Sequence, residues 1–260
     1  MAYTNIEIEK DGLTATLWLS RADKRNAINQ RMAVELLQAL SDLSEDTGTR
    51  VLFVRGRGPA FCAGADLGWM TQEGLPPEQQ PPLVLSRLFN AFYTFPKPMI
   101  LLAHGRVMGG AMGLLAGADF VLAEEKTVFA FSEVRLGLIP ATISPFVIRR
   151  MGEFKARQFM LSGIAMGTNE ALASGLIDTA GSEDSLIARK DYLCEEILSG
   201  APDAVKKCKE LIIKVSGLCL DEDLFDYTTR SLNDVRRSEE AMEGWLAFRE
   251  KRDPEWKKRR

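Results

Sequence analysis

The sequence predicts an α/β protein with mainly parallel strand pairing and a helical region at its C-terminal end. Two patterns carry this reading. Short apolar runs alternate with helical periodicity through most of the chain, and from Ser185 onward only helical spacing remains.

The elements follow in order. Ile6 and Ile8 alternate with Glu7 and Glu9, and Leu13 to Leu19 repeats the period of two beyond Asp11-Gly12, which predicts a hairpin. Met32, Leu36, Leu37 and Leu40 give helical spacing over residues 30–43, with Asn26 or Asn29 as its cap. Val51-Leu52-Phe53-Val54, ended by Gly56, reads as a buried strand. Gly74, Pro76, Pro77, Pro81 and Pro82 among Gln and Glu predict a mobile surface loop over residues 71–82. Residues 99–104 read as a strand, 109–116 as a buried helix, and 120–123 and 128–131 as further strands. In the C-terminal region Leu193, Ile197, Leu211, Ile212 and Val215 fall on helical faces. A last helix over residues 239–251 carries Met242, Trp245, Leu246 and Phe248 and stops before Pro254. The division expected is an α/β core over residues 1–195 and a helical part over 196–260.

The 260 residues are 46% hydrophobic, enough for a substantial core. A net charge of −3 gives no global basic field for nucleic acid or membrane surfaces, so an anionic ligand must meet local cations. Cys62, Cys194, Cys208 and Cys219 lack metal-ligand spacing, and His104 is the only histidine, so no metal site is expected. The cysteines read as free thiols of a cytoplasmic protein. Residues 1–10 have no apolar core like that of a signal peptide, and no apolar run is long enough to span a bilayer. The basic tail Lys257-Lys258-Arg259-Arg260 is expected to be solvated and frayed.

Chemistry is carried by two glycine-rich turns, Phe61-Cys62-Ala63-Gly64-Ala65-Asp66 and Met108-Gly109-Gly110-Ala111-Met112-Gly113. Each can present a backbone N–H that no side chain shields. Two such donors at one point would cradle an oxygen that becomes negative during a reaction. On spacing alone, two tight turns that need glycine for their geometry explain the pattern as well. Glu133 stands in the apolar run 128–140, where burial would raise its pKa and suit it to acid–base work. Pairing with Arg135 on one strand face is the plainer account. There is no Gly-x-Ser-x-Gly elbow, and His104 reads as a satisfied residue ending a strand. Lys24-Arg25 precedes a turn in which an anion could be met.

Together these residues resemble the crotonase, or enoyl-CoA hydratase/isomerase, superfamily. The match takes in Arg25-Asn26-Ala27-Ile28-Asn29, residues 61–66, Lys97-Pro98, residues 105–113, Asp119, Ser132-Glu133 through Pro140, residues 168–176 and residues 247–252. The resemblance implies a crotonase-like spiral of ββα units, then helices that build a homotrimer or homohexamer. It implies an acyl-CoA thioester as substrate, with coenzyme A part of that substrate and no separate cofactor. The thioester oxygen would be held by the N–H groups of Ala63 and Gly110. Arg25 and Ala27 would contact CoA, Ala65, Asp66 and Leu67 would line the mouth of the acyl site, and Phe248 and Lys251 would meet the nucleotide, across a subunit boundary in some arrangements.

The departures from the family pattern matter too. Its hydratases carry two glutamates, whereas here Gly113 stands at the first position and Glu133 at the second. Gly113 would leave room for a branched or bulky acyl chain, and Ala141, replacing a family glycine, would place water through its N–H. Glu73 and Asp66 are the conceivable substitutes for the missing acid. Residues 129–140 are most similar to hydratases of branched glutaconyl-type CoA esters. Three functions are therefore carried forward: hydration of a 2-enoyl-CoA, double-bond isomerisation by the single Glu133, and non-catalytic acyl-CoA binding.

Overall fold

The computed structural model describes residues 3–258. Met1 and Ala2, and Arg259 and Arg260 of the basic tail, lie outside it. Strands β1 (Ile6–Asp11) and β2 (Thr14–Leu19) form the expected antiparallel hairpin, in the register Ile6↔Leu19 to Asp11↔Thr14. Gly12 takes the turn at φ +53°, a conformation that glycine adopts without steric cost. Helix α1 (Gln30–Glu45) follows, and its cap is Asn29, whose side chain accepts from Met32 N at 2.8 Å. Such a cap stabilises a helix by about 1 kcal/mol.

Thereafter the chain repeats one unit. A strand joins the large sheet, a short segment joins a second sheet, and a helix returns. Strand β3 (Val51–Gly56) pairs in parallel with β2, and Cys62 beyond it bridges to Val107. The short α2 (Leu67–Met70) and the longer α3 (Pro81–Tyr93) complete that unit. Next come β4 (Met99–Ala103), β5 (Arg106–Met108) and α4 (Ala111–Gly117). The third unit is β6 (Phe120–Glu124) and β7 (Val128–Ala130), followed by a 3-10 turn over Glu133–Leu136 and α5 (Ser144–Met151). Helices α6 (Glu153–Ser162) and α7 (Thr168–Ala173) lead to β8 (Thr179–Gly181). The large sheet has the order β1-β2-β3-β4-β6-β8, and β5 and β7 pair in parallel in the second. This is the expected spiral of ββα units.

The unbroken apolar runs have a simple cause: the central strands are covered on both faces. Leu52, Val54, Met99, Leu101, Val121 and Ala123 face the main core with α1, α3 and α4. Val51, Phe53, Ile100, Leu102 and Leu122 face the other way, against Leu186 and Cys194 of α8 (Glu183–Ser199). Helix α8 therefore packs on the sheet and runs straight across residue 195, where the sequence pattern suggested a division. The following helices are α9 (Pro202–Val215), α10 (Glu222–Val235), α11 (Glu239–Glu250) and α12 (Glu255–Lys258). Lys209 of α9 reaches the core through Asp119 at 2.7 Å and the Lys97 carbonyl at 3.1 Å. Phe225, Leu232, Met242, Trp245 and Phe248 are exposed on α10 and α11.

The segment 71–82 differs from expectation. A 3-10 turn spans Pro77–Gln79, and α3 starts at Pro81, which is buried. Prolines in a first helical turn lack an N–H that would be unpaired anyway, so Pro81-Pro82 open a helix here. Among the described residues no helix is long and apolar enough to cross a membrane.

Candidate active site

The first glycine-rich turn is threaded between two neighbours. Phe61 N donates to His104 O at 2.9 Å, Cys62 N to Arg106 O at 3.2 Å, and Met108 N returns to Cys62 O at 3.2 Å. On its other side Ile28 N donates to Gly64 O and Asp66 N to Ile28 O, both at 2.8 Å. Ala63 N–H is consumed in this zipper, donating to Arg25 O at 2.9 Å, so it is not the free donor expected. Two residues on, Ala65 N–H has no protein acceptor, nor does Gly110 N–H at the start of α4. Gly64 has φ +98°, and a β-carbon there would lie 2.6 Å from Met108 O and 3.4 Å from Gly110 N. A β-carbon on Gly110 would lie 3.4 Å from Ala65 N. The two unengaged donors thus sit on turns in direct contact, and Ala65 replaces Ala63 in the pair.

Asn26 pins this arrangement. Fully buried and left-handed at φ +56°, its side chain accepts from Arg21 N at 2.8 Å. Its amide nitrogen lies 2.8, 2.9 and 3.1 Å from the carbonyls of Arg57, Ala60 and Phe61. The Cys62 thiol donates to Asn26 O at 3.0 Å, and burial pushes that thiol's pKa up to about 12, so Cys62 is no nucleophile. Arg21, which sequence reasoning passed over, bonds Ala27 O at 2.9 Å and Asp66 Oδ2 at 2.6 Å. The guanidinium holds the Asp66 carboxyl below its ordinary range. Asp66 is therefore an ion-paired α2 cap, bonding Gly68 N at 3.0 Å, rather than a spare acid. Glu73 is exposed. Arg25 and Leu67 are exposed beside the turn, while Ala27 and Ala65 are half-buried.

Glu133 opens the 3-10 turn after β7, and its Oε1 lies 3.3 Å from where a β-carbon on Gly109 would be. Oε2 is buried without a hydrogen-bond partner. No ion pair with Arg135 forms, because the turn replaces the strand that would have aligned them. The Arg135 Nε lies 3.0 Å from the Gly163 β-carbon position instead. Burial raises the Glu133 pKa above its ordinary value, opposed only by its own backbone N–H.

Gly113 does not leave room. A β-carbon there would meet Ile143 Cγ2 at 2.7 Å and two Phe89 ring atoms at 2.8 and 2.9 Å. Phe89 also reaches the cradle, its Cζ 3.7 Å from the Gly110 β-carbon position. The water-placing donor expected at Ala141 is engaged as well, since Ala141 N–H donates to Ile139 O at 2.8 Å. Phe248, 88% exposed, lies on α11, and Lys251 caps that helix. His104 Nε2 is tied to Gly58 O at 2.9 Å. Among the described residues no three His, Cys, Asp or Glu side chains cluster as metal ligands.

A free pair of backbone donors beside a carboxyl whose Oε2 has no hydrogen-bond partner is an arrangement for forming and protonating an enolate. The family model described as enoyl-CoA hydratase/isomerase matches residues 9–259. The chain belongs to the enoyl-CoA hydratase/isomerase family. Its fold is similar to that of an enoyl-CoA hydratase from Shewanella pealeana ATCC 700345, with TM-score 0.92 and 35% identity over 98% of this chain and 96% of that one. An enoyl-CoA hydratase/isomerase from Marinobacter aquaeolei gives TM-score 0.90 and 31% identity over 97% and 98%. A carnitinyl-CoA dehydratase of Escherichia coli O157:H7 is 28% identical over 98% of this chain and 99% of its own. In this member of the enoyl-CoA hydratase/isomerase family, Glu133 is half-buried with its Oε2 sealed, and the space at Gly113 is filled by Phe89 and Ile143.

Proposed function

We propose that this enzyme adds water across the C2–C3 double bond of a 2-enoyl-CoA thioester. The observation that carries the reading is the half-buried Glu133 carboxyl against the Gly109 turn, its Oε2 sealed and without a hydrogen-bond partner, next to two unengaged backbone donors. Glu133 takes a proton from water as the water oxygen bonds to C3. The C2–C3 π electrons move toward the thioester oxygen, which Ala65 and Gly110 N–H hold as an enolate. Protonated Glu133 then delivers its proton to C2. Loss of one such backbone donor typically costs about 3–4 kcal/mol of transition-state stabilisation.

Arg25 and Ala27 suit the CoA portion, and Ala65, Asp66 and Leu67 suit the mouth of the acyl site. Exposed apolar side chains on α10 and α11 suit a homotrimer or hexamer, in which Phe248 and Lys251 would meet the nucleotide of a neighbouring site. The likeness of residues 129–140 to branched glutaconyl-type hydratases makes carboxylated esters the first to try. The second reading, isomerisation, is favoured by the same lone carboxyl, since one base suffices to move a proton between C2 and C4. Turnover of a panel of enoyl-CoA esters in ¹⁸O-labelled water decides between them. Label in a 3-hydroxyacyl product supports hydration, and a shifted double bond without label overturns it. Undiminished hydration by Glu133→Gln would remove Glu133 from the mechanism.

A further inference from the structure

Helix α9 does not close fully onto the core. Lys209 anchors it to Asp119, and between α9, α5 and the end of α4 a cavity of about 580 Å³ remains. Its walls include the Tyr93 and Phe146 rings, whose centroids are 5.4 Å apart, and Ile197, Val205 and Ile213. Three cations also line it. Arg150 is neutralised by Asp178 at 2.7 Å and bonds the Ala118 and Leu176 carbonyls, and Lys209 is neutralised by Asp119 at 2.7 Å. Arg149 is different. It is exposed, joins no ion pair among the described residues, and has the Ser216 hydroxyl as a long contact at 3.5 Å. Its guanidinium thus reaches the C-terminal end of α9, where the helix dipole favours a cation.

The cavity shares no residue with the donor turns or Glu133. Ala116 and Gly117 line it at the end of α4, whereas Gly110 opens that helix, about 10 Å away by the helical rise. An apolar cavity of this size is suited to a small-molecule chain, and leaving it to water is costly. We propose that it is a second ligand site that takes a linear fatty carboxylate, with the chain against the apolar walls and the carboxylate paired with Arg149. A guanidinium binds a carboxylate through two parallel hydrogen bonds. A CoA ester would bring several phosphates to one uncompensated cation, and a neutral lipid would leave that cation unmatched. The assignment is independent of the reaction proposed above.

The test uses the full chain with decanoate, decanol and acetate as probes, below the concentration at which decanoate forms micelles. Calorimetry should show binding of decanoate, weaker binding of decanol and none of acetate. Arg149→Gln, at an exposed position outside the catalytic groups, should weaken decanoate about 10–100-fold and leave decanol within about twofold. Cys208 gives a readout that needs no variant, since it is exposed and lines the cavity, whereas the exposed Cys219 does not line it. Decanoate at about ten times its Kd should slow N-ethylmaleimide labelling of Cys208 about tenfold and leave Cys219 unchanged. The proposal is overturned if decanoate does not bind, if Arg149→Gln leaves its affinity unchanged, or if Cys208 is not protected. It is also overturned if Cys208 resists the reagent without decanoate in a protein that sediments as an oligomer. A second copy of the chain is then the occupant.

Discussion

The Glu133 carboxyl stands against Gly109, with Oε1 3.3 Å from the point at which a Gly109 side chain would begin. That contact is tighter than ordinary van der Waals distance, and Gly109 also sits at φ +51°. The residue bearing the turn therefore has no side chain because the acid needs the space. Gly109→Ala should displace the carboxyl and tilt the adjacent Gly110 N–H. We expect kcat to fall about 10²-fold with a smaller change in KM, measured by steady-state hydration of the preferred ester.

The raised Glu133 pKa has consequences of opposite sign for rate and stability. Hydration needs the carboxylate, so kcat/KM should fall on the acid side with an apparent pKa above the ordinary glutamate value of 4.5. The folded state holds this proton more tightly than the unfolded chain does. Stability is therefore greatest below the unfolded pKa and declines as pH rises through the folded one. Glu133→Gln should lower activity about 10²–10⁴-fold and raise the neutral-pH melting temperature by about 2–4 °C. A pH–rate profile and calorimetry of both proteins check the pair of effects.

Gly113 is predicted to be intolerant of any side chain. Gly113→Ala drives a methyl into Ile143 Cγ2 and the Phe89 ring, and should cost about 1–3 kcal/mol in a urea melt. Gly113→Glu should not yield a working second acid by itself. Only with Phe89→Ala and Ile143→Ala together, which open the volume, should a second acidic group appear in the pH–rate profile.

Asn26 should behave as a pin for the first turn. Asn26→Ala leaves the carbonyls of Arg57, Ala60 and Phe61 short of a donor and should destabilise by roughly 3 kcal/mol. The Cys62 thiol, buried and bonded to Asn26 O, reports on the same turn. In the native protein Cys62 should resist thiol reagents while the exposed Cys208 and Cys219 react. Native-state labelling followed by mass spectrometry should find Cys62 modified faster in Asn26→Ala.

Much of the spiral was legible in the chain. Alternation at Ile6 and Ile8 marks a one-sided strand, and continuous apolar runs at residues 51–54 and 99–103 mark two-sided ones. Helix α3 was hidden by the prolines at its start, although Val84, Leu85, Leu88, Phe89 and Phe92 are spaced as one buried face. Glu133 could be found because a carboxylate in an apolar run is costly. Which alanine N–H stays free could not, since the Arg25 carbonyl that occupies Ala63 lies far away along the chain. Likewise Gly113 reads as empty space until Phe89 and Ile143 are seen folded into it. Residue identity marks where the turns are, and distant partners decide which of their atoms remain available.

Phe89 touches both the Gly110 donor turn and the ground where a second acid would stand. A lineage seeking the two-acid form would have to exchange glycine for glutamate, shrink the phenylalanine and retrim the isoleucine together. Each step alone leaves a clash or a cavity. One aromatic ring thus couples what position 113 can hold to the geometry of the donor turn that precedes it.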